Sequence, residues 1–372
     1  MKILVPTYGF FPAQKYGGPP ISISNIVNLL HEEHEFYIVA PDHDLKSSEK
    51  LDGIKSGWNK VGYANVIYLS DANQNVKIFK RIIIEIKPDL IYLNSLFNAQ
   101  IVLPFLYLAN RFHIKVLLAP RGEINNGSLD KKYKKLPYIW LIKLLFPNVY
   151  YQSTCNEESN CIQKYLCNDC KRIIELDNIP SFPKNDIEHL RNKEFLKIVF
   201  VSRISPKKNL YFALECLNEV KSRKVQFDIY GPIEDHNYWN KCMSIIDREK
   251  ENISVNYKGI VKHDEIFNVF SCYDLFFLPT LSENYGHVIA EALFSGVPVL
   301  ISDQTPWIDV GENGAGAAIE LTDKKKFIQY IEDLEPDSVV LEKLSTNARQ
   351  YVMKKSNVEQ LKKQYMEFLE NV

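Results

Sequence analysis

The clearest strand–helix–strand pattern in this chain lies at residues 275–302, which have the sequence LFFLPTLSENYGHVIAEALFSGVPVLIS. Two continuous apolar runs, Leu275–Pro279 and Val297–Ser302, have the length and composition of fully buried strands. Between them, apolar residues from Val288 to Leu293 recur at helical spacing on one face. A buried strand, a helix and a second buried strand indicate one βαβ unit of a parallel sheet.

The same alternation of strands and helices extends along both halves of the chain. The strands predicted in the first half are Lys2–Pro6, Phe36–Ala40, Val66–Leu69, Leu90–Asn94, Val116–Ala119, Val149–Gln152 and Ile173–Leu176. Those predicted in the second half are Lys197–Ser202, Phe227–Gly231, Ile253–Tyr257, Leu275–Pro279 and Val297–Ser302. Apolar runs separated by helices predict the α/β class, with two Rossmann-like domains in series.

A linker separates the two predicted domains. The segment Asp177–Phe195 contains two prolines and a charged stretch, and it interrupts the alternation. We therefore predict an N-terminal domain at residues 1–180 and a C-terminal domain at residues 181–355. Residues 356–372 contain apolar side chains at helical spacing and are predicted to form a terminal helix.

Composition excludes several classes of protein. The 372 residues contain 45 Lys and Arg against 46 Asp and Glu, so the formal net charge is −1. A protein that binds nucleic acid through excess positive charge is therefore not expected. The start, MKILVPTYGF, resembles a first strand and not a signal peptide. No apolar stretch approaches the roughly 18–20 residues of a membrane span, and we expect a cytoplasmic protein.

The seven cysteines are expected to be mostly reduced thiols. Cys167 and Cys170 have the spacing of one zinc-ligand pair, but no second tight pair accompanies them. The segment Asp42–Asp44 has a D-x-D pattern, which we interpret as a turn. We therefore predict no metal site.

Adjacent glycines follow the first predicted strand, in the sequence YGGPP at residues 16–20. Gly17 and Gly18 would let the backbone approach a ligand, and N–H groups at a helix start favour an anion. A tight strand–helix turn explains the pattern equally well. It is neither the dinucleotide G-x-G-x-x-G pattern nor a phosphate loop.

Two cations follow the first predicted strand of the second domain. Arg203 and Lys208 lie at the carboxyl end of that strand, just before a helix, where they suit a diphosphate. The alternative is a solvated basic turn, and we adopt that interpretation for Lys207.

Two carboxylates lie on either side of the predicted helix start in the opening segment. Glu283 and Glu291 have the spacing E-x7-E, and Gly286 permits the turn into the helix. His287 and Glu291 are four residues apart and share a helical face. Carboxylates accept pairs of hydroxyl hydrogen bonds, as in sugar and ribose sites. The alternative is one Glu favoured by the helix dipole and one exposed helical Glu.

In this order, the residues resemble the retaining glycosyltransferases of family 4, and bacterial surface-polysaccharide enzymes among them. Matching positions, in chain order, are Gly17, Gly18, Arg203, Lys208, Gly231, Glu283–Glu291 and Gly296–Val299. The last two match the family signature E-x-[FY]-G-x4-E…G-x-P-V. The resemblance implies the GT-B fold, in which two Rossmann-like domains with parallel sheets face each other across a cleft. It also implies that the terminal helix crosses back to the first domain.

The resemblance also implies roles for the donor-side residues. Glu291 would hold the ribose hydroxyls, and Glu283 would contact hydroxyls of the transferred sugar. Backbone N–H groups near Gly286 and His287 would face the sugar and the phosphates.

The same resemblance assigns the phosphate contacts. Arg203 and Lys208 would neutralise the leaving nucleoside diphosphate. Gly18 would close over that diphosphate from the first domain, and Gly231 would lie near the nucleotide. Neither a metal nor a cofactor is implied, because the cations and a helix N-terminus replace the metal.

One position departs from many members of the family, which place a His after the fifth strand. Here Val116–Ala119 leads into Pro120-Arg121-Gly122-Glu123. Arg121 is therefore the predicted site residue of the first domain, although it cannot act as a base at neutral pH. This favours a mechanism in which the donor's own phosphate oxygen takes the acceptor proton. Glu123 is the alternative base.

Residues 131–146, KKYKKLPYIWLIKLLF, interleave lysines with aromatic and aliphatic side chains. This composition indicates contact with an anionic membrane surface or with a lipid diphosphate acceptor. The inner face of the plasma membrane is the surface that we expect. The alternative is an ordinary amphipathic helix with a solvated basic side.

The leading hypothesis is a retaining glycosyltransferase of O-antigen, capsule or exopolysaccharide synthesis. A UDP-sugar is favoured over GDP-mannose as donor, with a glycan or polyprenyl-diphosphate-linked acceptor. A UDP-sugar 2-epimerase-like isomerase or hydrolase on the same fold is the alternative. The donor's base and sugar, the acceptor, the linkage and the oligomeric state stay open.

Overall fold

The computed structural model describes residues 1–124, 132–183, 187, 189, 194–247, 250–336 and 338–371, with side chains in the fourth helix described from residue 135 onward. The chain divides into two compact units. The first consists of Met1–Ile179 together with Val358–Val372, and the second of Pro180–Asn357.

The first unit is built on an eight-stranded sheet. Its strands are β1 (Lys2–Pro6), β2 (Glu35–Pro41), β3 (Trp58–Val61), β4 (Ala64–Leu69), β5 (Leu90–Leu93), β6 (Lys115–Leu118), β7 (Tyr150–Ser153) and β8 (Ile173–Glu175). Their order in the sheet is β3-β4-β2-β1-β5-β6-β7-β8, and only the β3–β4 pair is antiparallel. The helices between the strands are α1 (Gly18–Leu30), α2 (Val76–Ile86), α3 (Ala99–Phe112), α4 (Lys132–Leu145) and α5 (Asn156–Tyr165).

The second unit is built on a six-stranded parallel sheet. Its strands are β9 (Leu196–Val201), β10 (Val225–Tyr230), β11 (Ile253–Gly259), β12 (Leu275–Leu278), β13 (Val299–Ser302) and β14 (Gly316–Ile319). Their order is β11-β10-β9-β12-β13-β14. The helices of this unit are α6 (Leu210–Leu217), α7 (His236–Ile246), α8 (Ile266–Phe270), α9 (His287–Phe294), α10 (Lys324–Asp333) and α11 (Val339–Lys355).

The strands lack polar alternation because both faces of each sheet are covered. In β1, Ile3 and Val5 belong to one apolar cluster of the first unit, while Leu4 between them belongs to another. Successive side chains of a strand point to opposite faces, so a strand buried on both faces is apolar throughout. The α/β class that these runs predict is confirmed.

Two strands were not predicted from the sequence, although every predicted strand forms. The edge strand β3, with the sequence WNKV, is only partly buried and has no apolar run. The edge strand β14, with the sequence GAAI, has small side chains. Both therefore lack the continuous bulky apolar signal on which the prediction depended.

The terminal helix α12 (Val358–Asn371) packs against the first unit. Tyr365, Phe368 and Leu369 join one of the apolar clusters of that unit. The Tyr365 hydroxyl accepts a hydrogen bond from Gln152 Nε2 at 2.9 Å and donates to the Asp177 carbonyl at 3.1 Å.

Candidate active site

In the second unit, the sequence-predicted site residues come together because their strands are neighbours. Arg203 follows β9, Gly231 follows β10 and Glu283 follows β12, and β9 lies between β10 and β12 in the sheet. The carboxyl ends of parallel strands meet at one edge of a sheet, where open α/β sheets bind ligands.

Arg203 is paired with a carboxylate that the sequence analysis did not single out. Its Nη1 donates to Glu234 Oε2 at 3.0 Å and to Oε1 at 3.2 Å. About one third of each side chain is exposed, at 36% and 32%. Exposed pairs of this kind contribute little to stability, so the Arg203 guanidinium can change partner at small cost.

Lys208 is paired with Glu283, so the structure brings these two predicted residues together. Lys208 Nζ donates to Glu283 Oε1, and each side chain is only 11% exposed. The neighbouring Lys207 side chain is exposed, as predicted. Breaking a buried ion pair by removing one partner strands the other charge, and such changes cost about 3–5 kcal/mol.

Gly231 lies where the chain leaving β10 passes the chain leaving β9. Its φ is +138°, and a Cβ atom there would lie 1.9 Å from the Ser202 carbonyl oxygen. A side chain at this position would force the two backbones apart. Gly231 is therefore required for the close approach of the loop that contains Arg203 and the loop that contains Glu234.

The turn into α9 is held by a buried tryptophan. Gly286 precedes the helix with a φ of +80°, in the left-handed region that favours glycine. Trp307 is 1% exposed, and its Nε1 donates to the Tyr285 carbonyl at 2.6 Å. Gly286, the residue before α9, provides no side-chain cap, and its carbonyl accepts from the N–H groups of Ile289 and Ala290 in the first turn.

Glu291 is the most unusual carboxylate of this unit. It is 3% exposed, and among the described residues its Oε1 has no hydrogen-bond partner. Burial raises the pKa of this carboxyl to about 7, although a hydrogen bond from Ser181 acts in the opposite direction. His263 lies near it, with Nδ1 3.6 Å from Oε1. Burial lowers the pKa of His263, against the charge of Asp264.

A buried carboxylate oxygen that has no hydrogen-bond partner destabilises the folded protein. Leaving such a group without a partner costs about 1–3 kcal/mol, and more when it is charged. A ligand that supplies hydroxyl donors would remove this cost. The geometry at Glu291 therefore fits a group that binds a diol.

In the first unit, the predicted glycines lie at the start of α1. Gly17 precedes the helix and Gly18 is its first residue, and no side chain caps this end. The next two residues are prolines and have no N–H, so the donors at the extreme start are those of the glycines. Asp44 accepts from the backbone N–H groups of Gln14 and Lys15, each at 3.1 Å, and so fixes the loop that leads to Gly17.

Arg121 is held by uncharged oxygens of residues within or just after β5 and of a residue after β8. Its Nη2 donates to Asn94 Oδ1 at 2.6 Å and to the Tyr92 hydroxyl at 2.7 Å, and its Nη1 donates to Asn178 Oδ1. Among these described partners there is no carboxylate. The guanidinium is therefore fixed in place and keeps its full positive charge for a ligand.

Glu123, the alternative base, accepts hydrogen bonds from the loop after β5. Its carboxylate accepts from the Leu96 N–H at 2.6 Å, the Phe97 N–H at 3.1 Å and the Ser95 hydroxyl at 2.9 Å. These donors anchor the chain after β5. To take an acceptor proton, Glu123 would have to release at least one of them.

The described residues contain no group of three or more His, Cys, Asp or Glu side chains arranged to hold a metal ion. None of the seven cysteines, all of which lie in the described part of the chain, forms a disulfide bond. In the described part of the chain, no helix is both long enough and apolar enough to span a bilayer.

Helix α4, within the predicted membrane-contact segment, presents apolar residues to solvent. Among residues 135–145, every exposed side chain is apolar, and we call this set the α4 face: Leu136, Pro137, Trp140, Leu141, Leu144 and Leu145. Trp140 is 63% exposed and Leu144 is 58% exposed. Lys131, and the side chains of Lys132 and Lys134, lie outside the described residues.

Several residues that shape these sites were missed in the sequence. Asn94 and His263 follow strands of parallel sheets, and a polar residue at such a position can be recognised in the sequence as a candidate site residue. Glu234 follows Gly231 closely, but nothing in the sequence marks it as the partner of Arg203. Asn178 and Trp307 have no local signal, because their contacts are with distant parts of the chain.

Several known proteins are similar to this chain in sequence. Residues 181–351 match the family described as glycosyl transferases group 1. An uncharacterised 41.2 kDa protein in the cps region of Klebsiella pneumoniae is 26% identical over 332 residues, which cover 83% of this chain and 86% of that protein. The Escherichia coli UDP-Gal:alpha-D-GlcNAc-diphosphoundecaprenol alpha-1,3-galactosyltransferase is 25% identical over 263 residues, which cover 66% of this chain and 67% of that enzyme.

A solved structure supports the same assignment at the level of fold. Anabaena Alr3699/HepE, in complex with UDP and glucose, superposes with a TM-score of 0.74 at 14% identity, covering 100% of both chains. The predicted GT-B fold is confirmed. With a group 1 domain at residues 181–351 and this fold, the chain is a glycosyltransferase.

Proposed function

We propose that this enzyme is a retaining glycosyltransferase that moves a sugar from a UDP-sugar to a polyprenyl-diphosphate-linked acceptor, in the synthesis of a bacterial surface polysaccharide. The acceptor determines whether that polysaccharide is an O-antigen, a capsule or another exopolysaccharide.

The buried, unsatisfied Oε1 of Glu291 is the observation that carries the proposal. Ribose has two adjacent hydroxyl groups, and a carboxylate accepts both. Glu291 is therefore assigned to the ribose of the donor. Glu283, in the loop between β12 and α9, is assigned to hydroxyls of the transferred sugar.

Arg203 and Lys208 are assigned to the donor diphosphate. Each is paired with a carboxylate, Glu234 and Glu283 respectively. A diphosphate presents more oxygen acceptors than one carboxylate, so it can compete for these cations. Once bound there, the cations stabilise the charge that develops on the leaving nucleoside diphosphate.

Similar proteins favour UDP and a lipid-linked acceptor. The name of the Escherichia coli relative specifies UDP-Gal as donor and a sugar on diphosphoundecaprenol as acceptor. The solved Anabaena structure contains UDP and glucose. These names support a UDP-sugar over GDP-mannose, and a carrier lipid over a soluble glycan.

The α4 face also supports a lipid-linked acceptor. Six neighbouring exposed apolar side chains on one helix are unusual for a surface in water, and lysines precede them in the sequence. We assign this face to the surface of an anionic membrane, where a polyprenyl carrier is located.

The proposed reaction proceeds with retention at the anomeric carbon. The acceptor hydroxyl oxygen bonds to the anomeric carbon while the bond from that carbon to the diphosphate breaks. The hydroxyl proton passes to the departing phosphate oxygen on the same face of the sugar. Arg121 cannot take this proton, so it is assigned to orienting the acceptor by its fixed charge. Neither a metal nor a cofactor is required.

A release assay tests the proposal. Purified protein is incubated with a panel of UDP- and GDP-sugars, with and without polyprenyl-diphosphate-linked sugar, and nucleoside diphosphate is measured. We expect release from a UDP-sugar only when acceptor is present, and an α-linked product by NMR. The Lys208→Ala variant should release nucleoside diphosphate about 10²-fold more slowly.

Other outcomes would contradict defined parts of the proposal. Interconversion of the sugar nucleotide without acceptor would indicate the epimerase alternative. Release from GDP-mannose alone would overturn the donor assignment. Nucleotide affinity unchanged in Glu291→Ala would overturn the ribose assignment.

A further inference from the structure

A cavity of about 350 Å³ opens in the first unit at the amino ends of β6 and β7. Lys115 begins β6 and Tyr150 begins β7, and both line it. Arg121 follows the carboxyl end of β6, so the cavity lies at the opposite edge of the sheet from the candidate site. Neither the family motifs nor the proposed reaction uses it.

The chemistry of the cavity is basic at the rim and apolar along the wall. His113, Lys115 and Arg172 are its basic lining residues, and none of the described lining residues has a carboxylate. Ile114, Phe146 and Pro147, which are partly or fully exposed, supply apolar surface. A ligand that fits both parts has an anionic group joined to an apolar body.

Arg172 is held in place at the rim. Its Nη1 donates to the Pro147 carbonyl and to Asn148 Oδ1, the latter at 3.2 Å. Asp169 lies 3.4 Å from its Nε and is half-exposed. An arginine oriented by its neighbours loses less freedom when it binds a phosphate.

The cavity continues the surface of α4. Leu144 and Leu145, of the α4 face, directly precede Phe146 and Pro147, which line the cavity. Leu145 is 51% exposed. An apolar surface and a basic cavity therefore lie side by side, which is the arrangement that an anionic membrane surface complements.

We propose that this cavity binds the phosphate headgroup of an anionic phospholipid while the α4 face enters the adjacent acyl region. The inference rests on the membrane contact in the proposed function, but it concerns a different edge of the sheet and a bulk lipid. It predicts that membrane binding depends on headgroup charge as well as on apolar surface.

Vesicle flotation of the full chain, without donor or acceptor, tests the inference. The vesicles contain phosphatidylcholine alone or phosphatidylcholine with phosphatidylglycerol. We expect Lys115→Gln/Arg172→Gln to bind the phosphatidylglycerol vesicles about 30-fold more weakly, from the typical contribution of two basic residues near a membrane. Lys77→Gln/Lys80→Gln removes the same charge from exposed positions of α2 and is the matched control.

Further variants separate the two parts of the surface. Leu144→Ser/Leu145→Ser should weaken binding to both kinds of vesicle. Lys115→Gln alone, at an exposed residue, should retain about a fivefold selective loss if the double variant folds poorly. Inorganic phosphate should not release the bound protein, because it lacks the apolar body.

Three results would overturn the inference. One is equal loss in the α2 control, which would indicate only general charge attraction. Another is unchanged binding in both cavity variants. The third is a wild-type dimer, by light scattering, that Leu144→Ser/Leu145→Ser dissociates, because the surface would then pair two copies. None of these depends on transferase activity, so the inference and the proposed function can fail separately.

Discussion

The cations of the two units have different partners, although each lies at the carboxyl ends of parallel strands. In the first unit, Arg121 donates to amide and hydroxyl oxygens that have no charge. In the second, Arg203 and Lys208 are each paired with a glutamate. A cation held by neutral oxygens is fixed and keeps its charge. A cation paired with a carboxylate must change partner when a phosphate binds.

The largest expected effect follows loss of the buried cation of the second unit. Lys208→Ala should lower turnover by about 10²-fold or more, because a group that stabilises developing charge is lost. Lys207→Ala, at the neighbouring exposed lysine, is the control and should have near-normal turnover. Steady-state release of nucleoside diphosphate measures both.

Folding must be separated from chemistry in that comparison, because Lys208→Ala leaves Glu283 buried without its cation. Lys208→Met/Glu283→Gln removes both charges at similar volume. We expect it to recover thermal stability and to stay inactive. Recovery of activity would contradict the diphosphate assignment.

A smaller loss is expected at the fixed cation of the first unit. Arg121→Lys keeps the charge but loses the fork that three side chains hold in place. Turnover should fall about 10-fold to 100-fold, as for other misplaced groups, while the KM for donor stays unchanged. Arg111→Lys, in the last turn of α3, is the control. A raised donor KM would instead place Arg121 on the donor.

Glu291 makes donor binding dependent on pH. Its folded pKa of about 7 lies above the ordinary value of 4.5, and ribose hydroxyl donors favour the charged form. UDP should therefore bind up to about tenfold more tightly at pH 8 than at pH 6. Calorimetry should show this slope in the wild type and not in Glu291→Gln.

Stability of the ligand-free protein should follow the opposite trend. The folded state holds the Glu291 proton more tightly than the unfolded chain, so this contribution is present at low pH. It is lost as pH rises from about 4.5 to about 7, by about 3 kcal/mol at most. In denaturant titrations, Glu291→Gln should remove that decline; an unchanged decline would assign it to other groups.

The smallest effect is expected at the exposed pair. Glu234→Gln removes the competitor for Arg203, and exposed pairs contribute at most about 1 kcal/mol. Donor affinity should therefore rise no more than about fivefold, and Arg203→Ala/Glu234→Gln should abolish the gain. Weaker donor binding in Glu234→Gln would mean that Glu234 positions Arg203 and does not compete for it.

Much of the fold and part of the site were predictable from local pattern. Strands buried on both faces have continuous apolar runs, so their positions and the α/β class were predicted correctly. The edge strands β3 and β14 lacked that signal and were missed. Motif residues such as Lys208 and Glu283 were identified, but their pairing with each other was not.

The sequence by itself determined the order of strands and helices and the glycosyltransferase motifs, because these depend on residues close together in the chain. Only the tertiary structure decided which charges meet. Asn178 reaches Arg121 across 57 positions, and Glu234 reaches Arg203 across 31. Strand order places such residues together, and no local pattern encodes strand order. The same reason left the basic cavity beside α4 unrecognised, since exposure depends on what packs against each residue.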